Sequence, residues 1–306
     1  MKSLRAYRKS SDLPLHRRLK GVIGNVLIAL RPQLSAAVKA APFRENWPAT
    51  GKLIRNGHLL NAVAEKDHAL ICHFLSDFWT SQASDDFYTG LSHRYETLFL
   101  RHHEAIVAET DNAILKVGGN FQQLIEIGAG DGKIIEHFSR RLTAIPAFHA
   151  VDINGAQVAN NRRVYADNPA LSFHHADAKQ WVADHAVPGT VLLANGGVLE
   201  YFTRPELESL LRDLAGKCSP CVIAITESMG TDHDLELEAK TYPYGLELSL
   251  SHNYLALLRE CGFTIEFIND RLTATEEFGV AERWLQVVAF SQPPPLLKSN
   301  PQAGGV

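Results

Sequence analysis

The sequence predicts an α/β protein in which an N-terminal block of helices precedes a seven-stranded, mostly parallel sheet. Three observations favour this class. Short apolar runs alternate with helical patterns from Gly119 to Phe290, which is typical of a parallel sheet covered by helices on both faces. Before Gly119, apolar residues recur at helical spacing. The last two strands have no long helical pattern between them, so a hairpin should join them.

The N-terminal helices are expected to end at recognisable signals. A helical pattern that includes Val22 and Val26 stops at Arg31-Pro32, because proline disfavours helical geometry in the residue before it. Ser92 fits the N-cap of a later helix, and Gly118-Gly119 ends that helix. These signals divide the chain into a helical lid or accessory segment at 1–118, a sheet domain at 119–290 and a disordered tail at 291–306.

The sheet domain should contain seven strands, with a helix between the strands of each of the first five consecutive pairs. Thr203 and Glu206 have capping-box spacing and Pro205 lies in the first turn, so one of these helices should begin there. The expected strands are 121–127, 147–152, 171–175, 190–194, 221–226, 263–268 and 284–290.

Composition narrows the setting of the protein. No run approaches the roughly 18 apolar residues of a membrane-spanning helix. The four cysteines are too few and too scattered for a disulfide framework, which fits a reducing compartment. A cytoplasmic protein with no membrane partner is therefore expected. The Cys218–Cys221 spacing lacks a second pair, and the histidine pairs lack a complementary cluster, so no metal site is expected.

The beginning of the chain is strongly basic. Residues 1–44 carry ten lysines and arginines against Asp12 as the single acid, whereas the whole chain has a net charge of −4. One interpretation is a transit peptide or an anchor for an anionic surface. The other is an arm that folds against the acidic part of its own chain or of a second subunit.

A glycine-rich turn follows the first expected strand. The stretch Leu124–Gly132 places glycines at 128, 130 and 132, with Glu126 before them and Asp131 among them. A chain that leaves a buried strand and enters a helix so quickly needs positive φ angles or close approach to a ligand, and glycine allows both. The spacing indicates a nucleotide-binding turn but departs from the G-x-G-x-x-G pattern of dinucleotide dehydrogenases.

This turn resembles motif I of the class I S-adenosylmethionine-dependent methyltransferases. The resemblance implies a Rossmann-like sheet whose seventh strand lies antiparallel beside the fifth, with S-adenosylmethionine as the cofactor. It implies that the glycines approach the amino acid end of the cofactor, that Glu126 and Asp131 accept from its ammonium group, that Asp152 accepts from the ribose hydroxyls and that Asp177 accepts from the adenine amine. The expected cofactor-binding residues are Glu126, Gly128, Gly130, Asp131, Gly132, Asp152, Ile153, Asp177, Ala178 and Asn195.

The resemblance also places the acceptor beside the segment that follows the fourth strand, Asn195 to Phe202. That segment lacks the clustered acids of metal-dependent catechol enzymes and the Asn/Asp-Pro-Pro-aromatic motif of base-modifying enzymes. The sheet domain also lacks an evident nucleic-acid platform. A small-molecule acceptor is therefore expected, with no nucleic-acid partner. The expected catalytic residues are Glu200, Tyr201, Glu227, His252 and Tyr254; further acceptor-side candidates are Trp79, Tyr88, Tyr95, Tyr242 and Tyr244.

Three functional hypotheses remain open. The helical lid and the segment Ser251 to Tyr254 resemble bacterial methionine S-methyltransferases of dimethylsulfoniopropionate synthesis. That resemblance implies the thioether of methionine as the acceptor, with acids such as Glu200 or Glu227 at its ammonium group. The second hypothesis is an O- or N-methyltransferase with His252 or Glu200 as general base, and the third is a cofactor-binding subunit without catalysis. A homodimer with a contact through the lid is expected.

Overall fold

The structure has the seven strands that the sequence predicts and three short ones that it does not, of which β1 joins the main sheet while β7 and β8 form a separate ribbon. The structure is a computed structural model and describes residues 2–81, 84, 93–275 and 280–292. Its strands are β1 (Lys2–Ser3), β2 (Gln123–Ile127), β3 (Ala147–Asp152), β4 (Leu171–His175), β5 (Thr190–Asn195), β6 (Cys221–Met229), β7 (Tyr242–Tyr244), β8 (Ser249–Ser251), β9 (Thr264–Thr275) and β10 (Val280–Ser291).

The topology confirms the expected fold class. The main sheet runs β4-β3-β2-β5-β6-β10-β9. Strands β2 to β6 pair in parallel, whereas β10 is antiparallel to both β6 and β9. The seventh long strand therefore lies antiparallel beside the fifth. Strands β9 and β10 extend beyond their apolar centres, because antiparallel partners continue to pair where one face is exposed.

The helices of the sheet domain fall between the expected strands. Thr203 caps the helix that begins at Arg204 and forms the expected capping box, and Pro205 lies in the first turn of that helix. Across the described residues the α-helices are α1 (Leu15–Leu30), α2 (Pro32–Ala40), α3 (Ala49–Glu65), α4 (His68–Trp79), α5 (Ala105–Val117), α6 (Lys133–Arg141), α7 (Gly155–Val164), α8 (Ala178–His185), α9 (Arg204–Lys217) and α10 (Tyr254–Glu260), with a π-helix at Tyr95–His103.

The first helix packs through its glycines rather than through its large apolar residues. A Cβ at Gly24 would lie 2.1 Å from the carbonyl oxygen of Leu53 and 2.6 Å from the nitrogen of Gly57, so α1 and α3 touch backbone to backbone. Val22 and Val26 are each 56% exposed. Among the described residues no single helix has the length and apolar composition to cross a membrane; α1 and α2, bent by 119°, meet that test only as a pair.

Residues 2–8 form an arm along the edge of the sheet. β1 pairs in parallel with the start of β10, beyond the last residue of β6. The backbone N–H of Thr231 donates to the carbonyl of Leu4 at 2.8 Å, and Arg8 forms ion pairs with Asp232 at 3.0 Å and Glu238 at 2.6 Å. At this site the basic arm folds against an acidic loop of its own chain.

The core lies on both faces of the sheet. All five residues of β2 are buried, as expected for the central strand. The larger cluster packs α8, α9 and α10 on one face, and a second cluster packs α5, α6 and the π-helix on the other. The predicted N-cap Ser92, the candidate Tyr88 and residues 293–306 of the predicted tail lie outside the described residues.

Candidate active site

A cavity of about 520 Å³ opens at the carboxyl edge of the parallel strands. Open α/β sheets bind ligands at this edge. The ends of β2, β3 and β5 form one part of its wall, and α4, the π-helix, the arm and the β7–β8 ribbon close the other part. The wall of the cavity therefore has two parts. We call the part at the strand ends the sheet-side end, and the part formed by the arm, α4, the π-helix and the β7–β8 ribbon the lid-side end.

The glycine turn needs its glycines for two different reasons. Gly128, Gly130 and Gly132 have φ angles of +64°, +51° and +76°, which strain any other residue. A Cβ at Gly128 would also lie 2.6 Å from the side chain of Val198 in the loop after β5. Gly132 does not line the cavity; a Cβ there would lie 2.9 Å from the rings of Phe173 and Tyr165.

Asp152 ends β3 and faces the turn. Its Oδ2 accepts from the backbone N–H of Gly130 at 2.9 Å, and its Oδ1 accepts from that of Asn154 at 2.8 Å. The residue is 5% exposed and lines the cavity together with Ile153. Burial raises the pKa of Asp152, and the hydrogen bonds from the backbone oppose that rise. Each oxygen keeps a lone pair for a further donor.

Two buried acceptor atoms near the turn have no partner among the described residues. Glu126 is 1% exposed, and its Oε2 accepts no hydrogen bond. Burial, followed by the charge of Asp131, raises the pKa of Glu126 well above its ordinary value. The Oδ1 of Asn195, at the end of β5, is also buried and unpartnered. Both residues line the cavity, so an ammonium group there would satisfy atoms that are costly to leave unpaired.

Asp177 lines the same end of the cavity but is half exposed. Its Oδ1 accepts from the backbone N–H groups of Lys179 at 2.9 Å and Gln180 at 3.2 Å, so it is the N-cap of α8. Ala178 lines the cavity beside it. The capping role accounts for Oδ1, and Oδ2 lies 4.0 Å from Nζ of Lys179.

Glu200 lines the lid-side end of the cavity. Its carboxylate accepts from the hydroxyl groups of Tyr244 and Ser228, the latter at 3.2 Å. A Cβ at Gly197, where φ is +85°, would lie 2.6 Å from Oε1 of Glu200, so the loop needs glycine to admit this side chain. Burial, opposed by the hydroxyl of Tyr244, raises the pKa of Glu200 to about 7.

Glu227 supports the loop after β5 from beneath. It is fully buried, does not line the cavity, and accepts from the backbone N–H groups of Val198 and Leu199 at 3.0 Å. Val198 in turn packs on Gly128. The role expected for Glu227 at the acceptor does not fit this position, because its oxygens hold the backbone that joins the two ends of the cavity.

The comparison with protein families decides the class of this site. Residues 124–220 match a family model described as a methyltransferase domain. The matched range contains the glycine turn, Asp152, Asp177, Asn195 and Glu200. Over this range the chain carries a methyltransferase domain, which agrees with the resemblance of its glycine turn to the class I S-adenosylmethionine-dependent enzymes. That resemblance gives S-adenosylmethionine as the cofactor.

The solved structures that are similar to this chain include methyltransferases named for different reactions. Magnesium protoporphyrin IX methyltransferase from Synechocystis PCC 6803 is 14% identical, with a TM-score of 0.48, and the match covers 71% of this chain and 99% of that chain. N-methyltransferase NodS from Bradyrhizobium japonicum WM9 is 11% identical, with a TM-score of 0.44 and coverage of 62% and 87%. Identities this low say nothing about the acceptor of this chain. No curated protein matches it.

Two other expected catalytic residues lie outside the cavity of the methyltransferase. Both ring nitrogens of His252 are engaged, Nδ1 with the hydroxyl of Thr241 at 2.9 Å and Nε2 with the carbonyl of Phe202 at 3.0 Å. Burial lowers the pKa of His252 to about 3. The expected role as a general base does not fit this geometry, because no lone pair faces the cavity. Tyr254 is 2% exposed and lies in the core.

Other residues reach the cavity from segments far apart in the chain. Tyr201 lines it as expected, as do Trp79, Tyr95 and Tyr244, whereas Tyr242 does not. A further group of cavity-lining residues was not predicted, because nothing in the local sequence around each of them points to the site. Its members are Leu4, Arg94, His103, Ser228, Glu247, Glu282 and Trp284.

Proposed function

We propose that this methyltransferase methylates a small molecule that carries an ammonium group. We propose further that this molecule is methionine and that its thioether sulfur accepts the methyl group. The proposal rests on the acidic wall at the lid-side end of the cavity. Glu200, Glu247 and Glu282 line this end, and Arg94 is the one arginine that lines the cavity in the described part of the chain. A cation lowers the pKa of a buried carboxyl group and is bound by it in return.

The donor roles are proposed as the resemblance implies. Asp152 has a free lone pair on each oxygen for the ribose hydroxyls, and Asp177 has a second oxygen for the adenine amine. The unpartnered oxygens of Glu126 and Asn195 would accept from the ammonium group. The side chain of Asp131 accepts from the backbone N–H of Lys133 at 3.2 Å, and it adds negative charge at this end.

Methyl transfer to a thioether requires positioning more than proton transfer. S-adenosylmethionine supplies, when bound, an electrophilic methyl group on its sulfonium. A thioether has no proton to lose, so the protein must chiefly hold a sulfur lone pair in line, and such positioning can supply about 7–11 kcal/mol. Glu200 with its tyrosine and serine donors is a rigid anchor for this purpose, and its charge would stabilise the cationic product.

Arg94 supplies the group that a free amino acid requires. Its charge lowers the pKa of Glu247, an exposed residue of the cavity wall whose pKa is raised chiefly by desolvation. Lys179, the other cation on the wall, pairs with Glu206 at 2.7 Å near the start of α8. We place an α-carboxylate at Arg94, because it is the arginine that lines this cavity in the described residues, with the α-ammonium group toward the acids. We further propose that residues 1–118 act as a lid over the domain at 119–290.

The direct test is transfer of a labelled methyl group from S-adenosylmethionine to methionine. We expect S-methylmethionine as the product and a much lower kcat/KM in Glu200→Gln. The matched control is Glu236→Gln, which changes an exposed acid on the loop after β6. No turnover at high methionine concentration would contradict the proposal.

A second candidate is an N- or O-methyltransferase that uses Glu200 as general base. The pKa of about 7 favours it, because an efficient base titrates near the working pH. The two candidates differ in where the acidic limb of the pH profile appears. A base affects kcat at saturating acceptor, whereas an anchor for an ammonium group affects KM.

We also propose that the protein forms a homodimer through α1. The exposed apolar residues of α1 recur three or four positions apart along one side of the helix, which is typical of a helix pair. A second copy would cover side chains that are 51–71% exposed in the single chain. Light scattering should give a dimer that Val22→Asp dissociates; a wild-type monomer, or a monomer that co-sediments with anionic vesicles, would contradict this proposal. The exposed apolar residues of α1 that a second copy would cover are Leu15, Leu19, Val22, Ile23, Val26 and Leu30.

A further inference from the structure

The π-helix at Tyr95–His103 presents several side chains to the cavity. Such segments are rare, and they occur frequently at functional sites because the wider turn re-aims the residues that follow. Here it continues directly toward α5, which packs on the sheet. Its cavity-lining residues are Tyr95, Leu98, Phe99 and His103.

His103 is the last residue of this helix and has a ring nitrogen without a partner. The residue is 3% exposed, and its Nε2 is buried and makes no hydrogen bond with any described residue. An unsatisfied buried polar atom costs about 1–3 kcal/mol. Because His103 lines the cavity, a ligand there is the natural partner of this atom.

The surroundings of His103 fix its place. The side-chain N–H of Gln286 donates to its carbonyl oxygen at 2.9 Å, and Asn269 in turn donates to Gln286 at 2.8 Å. Its ring lies 5.0 Å from the ring of Trp284, which also lines the cavity. Trp284 pairs with Ser228 across β10 and β6, and Ser228 donates to Glu200. His103 therefore lies one strand beyond the acid at the lid-side end.

We propose that Nε2 of His103 accepts a hydrogen bond from the ammonium group of the acceptor and so selects acceptors that carry one. This inference rests on the proposed function, since it gives the ammonium group of that acceptor a second partner besides Glu200. It assigns His103 as a residue that touches the acceptor and not the cofactor.

The charge state of His103 agrees with this role. Burial, together with the charges of His102 and Arg271, lowers the pKa of His103 to about 3. The ring is therefore neutral at pH 7 and does not repel a cation. With its proton on Nδ1, a neutral imidazole has an accepting lone pair on Nε2.

The test is calorimetry of methionine binding to the protein loaded with S-adenosylhomocysteine. His103→Phe keeps the aromatic contact and removes the nitrogen, and we expect it to weaken methionine binding about 10- to 100-fold. Binding of a methionine analogue that lacks the amino group should not change. His103→Gln, which returns a polar atom near the position of Nε2, should recover part of the loss. His102→Phe is the matched control, because His102 does not line the cavity.

The outcomes separate this inference from the proposed function. If methionine binds and His103→Phe weakens it selectively, the inference holds even where no methyl group is transferred, and only the proposed reaction fails. If His103→Phe binds methionine as tightly as the wild type, or weakens the analogue equally, the inference is overturned while the reaction stands on its own test. If methionine does not bind the wild type at all, both are overturned.

Discussion

The two ends of the cavity are built in different ways. The sheet-side end comes largely from strand ends and the turns that follow them, with the glycine turn, Asp152 and Asn195 each at the end of a parallel strand. The lid-side end combines the arm, the π-helix, the loop after β5 and the β7–β8 ribbon. The sheet-side end is thus a local property of the sheet, whereas the lid-side end exists only after distant segments fold together.

This difference predicts that changes at the two ends have separable effects. Substitutions at the sheet-side end should change affinity for S-adenosylmethionine, and those at the lid-side end should change acceptor turnover. Glu227 is the exception, because it holds Val198 against Gly128 and so joins the two ends.

The largest expected effect is on cofactor affinity in Asp152→Ala. Loss of the carboxylate removes two charge-assisted hydrogen bonds to the ribose, so affinity should fall about 100-fold or more. Calorimetry with S-adenosylmethionine measures it, with the exposed Asp167→Ala as control. Unchanged affinity in a folded Asp152→Ala would place the cofactor elsewhere and remove the distinction between the ends.

The next effect is on the acceptor in Glu200→Gln. A neutral amide cannot offset the charge of an ammonium group, so acceptor kcat/KM should fall about 10- to 100-fold while cofactor affinity is unchanged. Steady-state kinetics and calorimetry measure the two quantities. A loss of cofactor affinity equal to the loss of turnover would mean that the ends are not separate.

The pH dependence should run in opposite directions for activity and stability. The pKa of Glu200 is raised from 4.5 to about 7, so the native state holds this proton more tightly than the unfolded state. Its contribution to stability is complete below about pH 4.5 and is lost as pH rises through 7, by up to about 3 kcal/mol. Acceptor affinity should rise over the same range, since the ionised form binds the cation.

Chemical denaturation at several pH values checks the stability part. The wild type should lose more stability between pH 5 and 8 than Glu200→Gln, which cannot titrate there. Parallel losses in both proteins would show that Glu200 is not the group responsible.

The smallest expected effect is that of Arg8→Ala. The side chain of Arg8, which forms ion pairs with Asp232 and Glu238, is 36% exposed. Solvent weakens such pairs, so the free energy of unfolding should fall by only about 0.5–1 kcal/mol. Because the arm lines the lid-side end through Leu4, acceptor KM should rise modestly and cofactor affinity should stay the same. Thermal unfolding and kinetics measure these, with the exposed Arg18→Ala as control; a change in cofactor affinity would contradict the assignment of the arm to the acceptor end.

The same difference explains how much could be read from the sequence. The strands around Asp152 and the glycine turn are contiguous and periodic, so their order and their shared edge were predictable. Glu200 and Glu227 look alike in sequence, and only the fold decides that one faces the cavity and the other meets the backbone of Val198. His252 lies just before the N-cap of α10, yet its depth in the core depends on tertiary packing.

Residues brought from a distance could not be predicted at all. His103 ends a π-helix that has no reliable sequence signal, and Arg94 is the N-cap of that helix. Glu247 lies in the turn between β7 and β8, two strands of three residues each. β1 is too short for any pattern, and it forms because β10 extends beyond the end of β6. Acceptor specificity therefore depends on contacts that local sequence does not encode.

The most direct test of the two-ended cavity is a crystal structure of the full chain with S-adenosylhomocysteine. We expect the ribose hydroxyls at the carboxylate of Asp152, the ammonium group at Glu126 and Asn195, and the sulfur directed toward the part of the cavity that Glu200 lines. A ligand whose sulfur points away from Glu200, or whose ribose makes no contact with Asp152, would contradict the account.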